Sequence, residues 1–530
     1  MASTTFSDGV TPIVSSWLND VNNFVYVTGP GFSSSIITAQ NTANTAITTA
    51  NAAQTTANAA VPSTTLAASG GSSLVGFLQA GTGAVARTVQ SKERDTVSVK
   101  DFGAVGDGVT NDTAAMNAAH ATGQLIYYPP GAYYFSTLNP FSKGGIIGAG
   151  RSLTTLVSTD TSSGNTLTYS GTNSGATPCP LFKDFTLISQ GVKSGGAGLS
   201  FIPSSGELGY FHFDNVTFAG YPTSLYFNAN SYYTINNCQF FSYTVAGVVV
   251  DNVNNPDSGD SCITNCLFNG TSGAGILQHA SGGLKIIGNK FLGGSTGYNL
   301  QFNGSNNTSD LLIVGNSFEN MSGQDIALTR TGGTFNFSNI VITGNQFAVG
   351  PTGIQTDASN FINEMVIVGN SFNLSSGTGY GINLATITDF VIGNNTFKGN
   401  GGTPAGILIS ASCSNGKILP NTYATLTTTV ANSSATTFIT KDVQTGSSTT
   451  VTTGWASFGG LFSGPSTAVA FPTAFTVAPS ASDIVLRPTS TNGAVAALVT
   501  FVSANGFNYT PISTVTGIAA VFAWSAAGVI

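Results

Sequence analysis

The chain has 530 residues, of which 7% are charged and 41% are hydrophobic, and its formal net charge is −7. This length predicts several domains, because a single core rarely grows beyond about 300 residues, and so many apolar residues exclude a disordered chain. With 15 Lys and Arg residues and no basic patch, the sequence argues against a nucleic-acid ligand. It has no apolar run of about 18 residues, so no membrane span is expected. The first ten residues lack the features of a secretory signal.

Residues 1–32 contain a short helical pattern. Their apolar side chains fall at helical spacings: Trp17, Leu18, Val21, Phe24 and Val25. The segment is too small to form a domain alone, so we expect it to dock on another protein.

Residues 33–62 are rich in Ala, Thr and Asn and follow a heptad pattern. Small apolar side chains alternate at spacings of three and four, which defines an a/d seam: Ile36, Ala39, Ala43, Ala46, Ala50, Ala53, Ala57 and Ala60. The pattern predicts a coiled coil that ends before Pro62, which cannot continue a helix. An Ala seam buries little area, and a low-complexity linker is the alternative interpretation.

The main body repeats the phrase Ile-x-x-Asn-x-Phe at intervals of roughly 22–29 residues. Copies occur at 286–291, 313–318, 342–347 and 367–372, with variants at 392–397 and 418–423. Weaker copies have Val216, Cys238 and Cys266 at the Asn position. The intervals have room for a second short strand but not for a crossover helix. The repeat therefore predicts a parallel β-helix with two or three strands per coil.

The repeated residues have expected places in each coil. Every Ile and Phe should point inward and stack on its counterpart about 4.8 Å away in the next coil. The Asn should lie at an inward corner, where its amide bonds to the Asn residues of neighbouring coils and to turn carbonyls. Cys238 and Cys266 would be small substitutes in this ladder.

The repeat stops near Ala424, and residues 424–454 are rich in Thr and Ser. The last 75 residues alternate apolar and polar positions, which predicts a compact antiparallel β-domain. The predicted fold class is therefore all-β: a parallel β-helix solenoid with an N-terminal helical segment and a C-terminal antiparallel β tip domain.

The sequence "LVGFLQAGTGAVARTVQSKERDTVSVKDFGAVGDGVTNDTAAMNAA" at 74–119 resembles the neck of bacteriophage tail fibres and tailspikes with a pectate-lyase-like right-handed parallel β-helix. "GQLIYYPPGAYYFSTL" and "GIIGAGRSLTTL" continue the similarity. "DGVTPIVSSWLNDVNNFVY" resembles the segment that attaches such fibres to the virion, and "NGFNYT" with "FAWSAAGV" resembles their tip domain. Inert fibres and active depolymerases share the neck, so it says little about activity.

The resemblance implies five parts in chain order. They are a virion-attachment segment (1–32), a trimeric coiled coil (33–62), a neck (63–96), the β-helix (97–430) and a sandwich-like tip domain (431–530). It further implies a homotrimer in the phage tail, made in the host bacterial cytoplasm and joined to tail or baseplate proteins through residues 1–32. No cofactor is implied.

The stretch "KDFGAVGDGVTNDTAAM" at 100–116 belongs to a region of dense charge between Arg87 and Asp112. We expect a structural joint here. Asp112 would be the N-cap of a helix from Thr113 to about Ala121 that covers the open end of the first coil. A calcium loop would need different Asp spacings, and a phosphate loop would need a Gly-Lys-Ser/Thr ending.

Glu319 and Asp325 are candidates for glycan cleavage. They are expected on one coil, six residues apart across a turn, with Asp357 near the equivalent turn of the next coil. Glycosidases use two carboxylates, so the candidate catalytic set is Glu319 and Asp325, supported by Asp357. Unrelated surface acids are the alternative interpretation.

The remaining acids and the cysteines have structural interpretations. A column of mostly Asx residues lies eight residues before each repeat Phe and is typical of turn caps: Asp260, Asp310, Asn339, Glu364, Asp389 and Asn415. His279 and Asp251 are expected on adjacent coils, most simply as a surface hydrogen bond. Cys262 and Cys266 have no second pair of ligands, so we expect buried free thiols and no metal.

Residues 210–243 contain twelve aromatic residues in 34 positions. Four of them lie outside the inward columns and are the candidate substrate-binding residues: Tyr221, Tyr226, Tyr232 and Tyr243. Exposed tyrosines stack on sugar rings and donate hydroxyl hydrogen bonds. Packing at a trimer interface is the alternative interpretation.

We therefore expect a virion receptor-binding protein that adsorbs to a bacterial surface polysaccharide. The alternatives are a depolymerase, hydrolase or lyase, that cleaves that glycan, and a purely structural tail adaptor. Few acids and bases are available in the β-helix, which favours binding without cleavage.

Overall fold

The computed structural model divides the chain into two compact units, Met1–Asp95 and Thr96–Ile530. It describes residues 30–59, 63–171, 180–206, 208–228, 230–251, 260–293, 298–304, 308–319, 323–330, 336–348, 352–358, 361–374, 379–439, 442–449, 456–458, 461–463, 467–470, 484–491, 495–503, 506–513 and 520–528. The expectations for residues 1–29 and for Pro62 lie outside these ranges.

The first unit contains the predicted N-terminal helix, Pro30–Ala59. Short elements follow it: Ser63–Leu66, Gly71–Leu74, Gly76–Phe77, Arg87–Thr88 and Val89–Glu93. The guanidinium of Arg87 donates to both carboxylate oxygens of Asp95, at 2.7 and 2.9 Å. Part of the dense charge is therefore paired within this unit.

The second unit begins with the predicted joint. Strand Val97–Ser98 leads into the short helix Val99–Phe102, and strand Asp107–Asn111 leads into helix Thr113–His120. Met116 and Ala119 on that helix are fully buried in the core, in agreement with the expected helix over the end of the first coil.

The predicted capping bond of Asp112 is wrong. Asp112 occupies the N-cap position, but its side chain makes no capping hydrogen bond. Its carboxylate instead accepts from the backbone N–H groups of Val105 and Gly106, at 2.7 and 3.1 Å. The Asn111 side chain accepts from the N–H of Thr113. Asp112 thus closes the "GAVG" turn, whose unpaired N–H groups need an acceptor.

The β-helix has three parallel faces, and most of the described coils contribute one strand to each face. Face one consists of Val97–Ser98, Leu125–Tyr128, Gly145–Gly148, Leu181–Lys183, His212–Asp214, Thr234–Asn236, Cys262–Thr264, Lys285–Ile287, Thr308–Val314, Asn336–Thr343, Phe361–Val368, Ile387–Gly393, Lys417–Ile418 and Phe438–Ile439. Face two consists of Asp107–Asn111, Gly131–Phe135, Thr154–Ser158, Thr186–Ser189, Thr217–Ala219, Gln239–Phe241, Leu267–Asn269, Lys290–Leu292, Ser317–Glu319, Gln346–Ala348, Ser371–Leu374, Thr396–Gly399 and Thr422–Ala424. Face three consists of Leu167–Tyr169, Ala197–Phe201, Thr223–Asn228, Ala246–Asp251, Ala274–Gly282, Leu300–Gly304, Gln324–Arg330, Thr352–Thr356, Tyr380–Leu384, Ala405–Ile409 and Thr428–Asn432.

The repeat Phe residues form a continuous stack inside face two. Their rings lie parallel from Phe218 to Tyr423, with 4.5–5.5 Å between the centroids of neighbouring rings. The repeat Ile residues are fully buried inside face one, for example Ile286 and Ile313. The inward placement of both residues is confirmed.

The predicted Asn ladder is also present, with one residue from each of six successive coils: Asn289, Asn316, Asn345, Asn370, Asn395 and Asn421. From Asn289 to Asn395, each Nδ2 donates to Oδ1 of the next Asn at 3.0 Å. Cys266 and Cys238 extend the column, since the N–H of Cys266 donates to Asn289 and the N–H of Cys238 to the sulfur of Cys266. Buried polar groups that water cannot reach are satisfied in this way.

A glycine column lies at the start of the face-three strands. A Cβ atom on these residues would come within 2.5–3.0 Å of the repeat ring in the next coil: Gly247, Gly275, Gly353, Gly381 and Gly406. Asn299 and Asp325 occupy the same register position in the two intervening coils. Both are buried.

The C-terminal strands are antiparallel, as expected for the tip domain. One sheet contains Asp442–Thr449, Ile484–Thr491 and Ala520–Gly528. The other contains Ala456–Phe458, Leu461–Ser463, Thr467–Ala470, Val495–Ser503 and Gly506–Ser513.

Candidate functional site

Three neighbouring coils place an apolar strip on the outer side of face three. Tyr226 pairs in register with Val249, and Val249 pairs with Leu277. Val249 is only 5% exposed because Tyr226 and Leu277 pack against it from either side. Tyr226, Val249 and Leu277 thus form a packed, partly aromatic surface across three coils.

Asp251 lies beside this strip and binds two side chains from the flanking coils. The phenol of Tyr226 donates to Oδ2 of Asp251 at 2.8 Å, and Nδ1 of His279 lies 3.4 Å from Oδ1. The neighbouring imidazole of His279 and the hydrogen bond from Tyr226 hold the pKa of Asp251 below its ordinary value, although partial burial opposes this shift. Asp251 is therefore ionised at neutral pH. The expected proximity of His279 and Asp251 is confirmed.

A β-bulge places His279 next to Asp251. Val250 pairs with Gln278, but Asp251 pairs with Ala280, so His279 is the extra residue. A bulge redirects the side chain of its extra residue and often occurs beside binding sites. Because of it, His279 shares the outer surface with Asp251, and its side chain is 29% exposed.

A groove of about 420 Å³ adjoins Tyr226. Four successive coils line it with residues at or just before the start of their face-three strands, including Asn165, Gly196, Thr223 and Val245. Asp160 and Lys193 belong to the loops before two of these strands, and their side chains form an ion pair at 2.5 Å. Burial alone would raise the pKa of Asp160, but the hydrogen bonds from Lys193 and Ser162 bring it below its ordinary value. The ion pair fixes the loops that border the groove.

The four candidate tyrosines fall into two classes. Tyr226 contributes to the outer surface, and Tyr232 is 44% exposed. The expected exposure of Tyr221 and Tyr243 is wrong, because both are buried. Their rings fill space beside glycines of neighbouring coils, Tyr221 against Gly198 and Tyr243 against Gly270. Neither ring can stack on a glycan at the surface.

The structure does not assemble the predicted acid and base. Glu319 ends a strand of face two, and its carboxylate lies 3.3 Å from Nζ of Lys290. Asp325 lies in the interior at the glycine column, where Nδ2 of Asn299 donates to its Oδ1 at 2.7 Å. Burial raises the pKa of Asp325 to about 8. A ligand on the outer surface cannot reach this carboxyl group.

Asp357 does not support Asp325 either. Leu328 pairs with Thr356 in register, so Asp357 lies one residue beyond that pair and Asp325 three residues before it. Four residues of extended strand separate the two acids by about 13 Å. The six-residue spacing in the sequence gave no sign that Asp325 enters the core.

The cysteines and the turn-capping column have structural roles. Cys238 and Cys266 are buried, Cys262 is partly buried, and all are free thiols. In the described part of the chain, no three His, Cys, Asp or Glu side chains are grouped as metal ligands. No helix within the described ranges has the length and apolarity needed to cross a membrane. All six residues of the predicted turn-capping column have positive φ angles of 52–59°.

Residues 197–372 match the family model of the right-handed β-helix region. The A-module of mannuronan C-5 epimerase AlgE6 from Azotobacter vinelandii has the same fold, with a TM-score of 0.53, 16% identity, and coverage of 65% of this chain and 97% of that one. A 68-residue segment is 48% identical to the tail spike protein of an Escherichia phage. The chain resembles a phage tailspike with a right-handed β-helix.

The tailspike similarity covers 13% of this chain and 8% of the Escherichia phage protein. A 52-residue segment is also 50% identical to AlgE6, and it covers 9% of this chain and 6% of that enzyme. The chain thus matches less than one tenth of the length of either curated relative. The cluster of Tyr226, Asp251 and His279 lies within the part of the β-helix that matches the family model.

Among the aromatic residues of 210–243, the sequence reasoning missed one that is exposed. Tyr210 is 48% exposed and its ring is parallel to that of Tyr232, with 5.0 Å between centroids. Tyr210 and Tyr232 lie eight positions before the repeat residues Phe218 and Phe240, so they belong to the turn-capping column. Counting back from every repeat Phe would have found them.

Proposed function

We propose that this chain is a virion tailspike or tail fibre that adsorbs to a bacterial surface polysaccharide through the outer side of face three. The observation that carries the proposal is the cluster of Tyr226, Asp251 and His279, which three coils contribute beside an apolar strip. An aromatic ring can pack on the apolar side of a sugar, while a carboxylate and an imidazole accept and donate hydroxyl hydrogen bonds. A polysaccharide lying across several coils would meet both kinds of group.

The charge of this site favours a neutral glycan over an acidic one. Asp251 is ionised, and the whole chain has a net charge of −7. Like charges repel, so a polyanion would lose affinity at this face.

Asp251→Asn is expected to weaken binding of the receptor glycan by about tenfold or more, because it removes a charged hydrogen-bond acceptor while keeping the shape of the side chain. Binding of surface polysaccharides extracted from a strain to which the protein adsorbs would be measured by calorimetry. Asp310→Asn is the matched control, since it makes the same change at an exposed turn. Equal affinities for Asp251→Asn and the unchanged protein would contradict the proposed site.

The proposed assembly is a homotrimer in the virion tail, attached to tail or baseplate proteins through residues 1–32. The described side chains of helix Pro30–Ala59 are exposed within one chain, including Ile36 and Ile47. Three parallel copies would cover the heptad seam. We expect light scattering to give three times the chain mass of 53.8 kDa. A monomeric mass at micromolar concentration would contradict this assembly.

Cleavage of the glycan is the second candidate function. The contact of 3.4 Å between the Asp251 carboxylate and the His279 imidazole favours it, because a carboxylate beside an imidazole assists proton transfer. We place it second because the predicted acid pair is not assembled and Asp325 is buried. Incubation with the same polysaccharides would release new reducing ends only under this second function. An absence of glycan binding would favour the third possibility, a structural tail adaptor.

A further inference from the structure

The corner between face three and face one holds a column of residues with left-handed backbone conformation. Seven described coils have an acidic, amide or Gly residue at this corner: Asp260, Gly283, Asp310, Asn339, Glu364, Asp389 and Asn415. These short or polar residues are mostly the types that tolerate a positive φ angle. Two adjacent coils instead have Tyr210 and Tyr232, with φ angles of 62° and 55°.

A tyrosine at this corner is strained and gains no core packing. Bulky residues rarely adopt a positive φ angle, and such outliers occur where function requires them. The core does not explain the choice, since the side chains are 48% and 44% exposed. Neighbouring aromatic residues such as Phe211 and Tyr233 are instead buried.

The backbone beneath the two tyrosines is firmly held. Leu208–Gly209 pairs with Asn230–Ser231 directly before them. Asn230 is fully buried, and its Nδ2 donates to the carbonyls of Phe201 and Asn228, at 3.0 and 2.6 Å. The two rings lie 5.0 Å apart and within 8° of parallel. This arrangement is a preorganised pair of exposed rings.

We propose that Tyr210 and Tyr232 form an aromatic ledge that binds a pyranose ring of the glycan as a second subsite. The proposal rests on the proposed function. Tyr232 and Tyr226 are six residues apart on one coil, on opposite sides of its corner strand Asn230–Ser231. A chain of sugars that contacts Asp251 on face three would extend to the ledge around the corner. The ring faces and edges would contact sugar C–H groups, and the phenols would bond to hydroxyls.

The test replaces each tyrosine by the residue type that the corner prefers. In Tyr210→Asn and Tyr232→Asn, the affinity for the extracted surface polysaccharide should fall by about threefold to tenfold per ring. The melting temperature should stay equal or rise, because Asn accepts the backbone conformation with less strain. Tyr232→Phe should retain most of the affinity, and Asp260→Asn in the next coil should retain all of it.

The outcomes separate the ledge from the proposed function. Weaker binding by the Asn variants with an unchanged fold and assembly supports the ledge. Unchanged binding by them, while Asp251→Asn binds weakly, overturns the ledge and leaves the proposed function standing. Loss of oligomer in light scattering would show that the rings are a subunit contact and would also overturn the ledge. If the unchanged protein binds no polysaccharide, both proposals fail.

Discussion

Replacing Asn370 by Leu is expected to lower the free energy of unfolding by roughly 1–3 kcal/mol per chain. Asn370 accepts hydrogen bonds from the N–H and the Nδ2 of Asn345 and donates to the carbonyl of Ile342 and to Asn395. Leucine fills similar space but offers none of these bonds. The N–H of Asn345 and the carbonyl of Ile342 would be left buried without these partners, which is costly where water cannot enter.

Asn383→Leu is the matched control for the ladder. Asn383 lies on the outer side of face three in the same coil and is partly exposed. Its replacement should change the free energy of unfolding by less than about 0.5 kcal/mol. Chemical unfolding of both variants would measure the difference, and equal stabilities would show that the ladder bonds contribute nothing.

Asp325→Asn is expected to stabilise the protein by roughly 2–4 kcal/mol at pH 7. This range follows because each unit of pKa shift corresponds to about 1.36 kcal/mol. Burial raises the pKa of Asp325 from 3.8 to about 8 in the folded chain. The folded chain therefore holds a proton between these pH values that the unfolded chain has released. Stability contributed by this proton is present below pH 4 and is lost as pH rises towards 8.

The pH dependence gives the decisive measurement for Asp325. Asparagine mimics the protonated side chain and can still accept the hydrogen bond from Asn299. The stability of the variant should therefore not fall with rising pH on account of residue 325. The two proteins should melt at similar temperatures near pH 4. Between pH 4 and pH 8, the melting temperature of the variant should rise steadily relative to that of the unchanged protein. Asp389→Asn, at an exposed corner, should show no such gain. Parallel pH profiles for Asp325→Asn and the unchanged protein would refute the buried acid.

The periodic parts of the fold were predictable because repetition makes their environment the same in every coil. Every copy of Ile-x-x-Asn-x-Phe points the same three side chains inward. Ile286, Asn316 and Phe347, which come from three different copies, are therefore buried as expected. The turn column was predictable for the same reason, and Asp251 and His279 were expected to be neighbours from their positions in adjacent coils.

The aperiodic details depend on how neighbouring coils pack against one another. Whether Tyr221 and Tyr243 point inward depends on the space left by glycines of neighbouring coils, which a single coil's sequence does not specify. Asp325 looks like a surface acid until its register position is aligned with Gly353. At Asp112, the carboxylate serves the preceding turn because two N–H groups there lack other acceptors.

The ladder of Asn residues has a consequence for how such bodies change during evolution. Coils between Asn289 and Asn421 present the same amide to both neighbours, so one can be duplicated or lost and the rejoined coils still match. Each event would lengthen or shorten the body by one spacing of about 4.8 Å. The aromatic coils around Tyr226 precede this interchangeable region. The length of the β-helix and the aromatic surface around Tyr226 can therefore evolve separately within one chain.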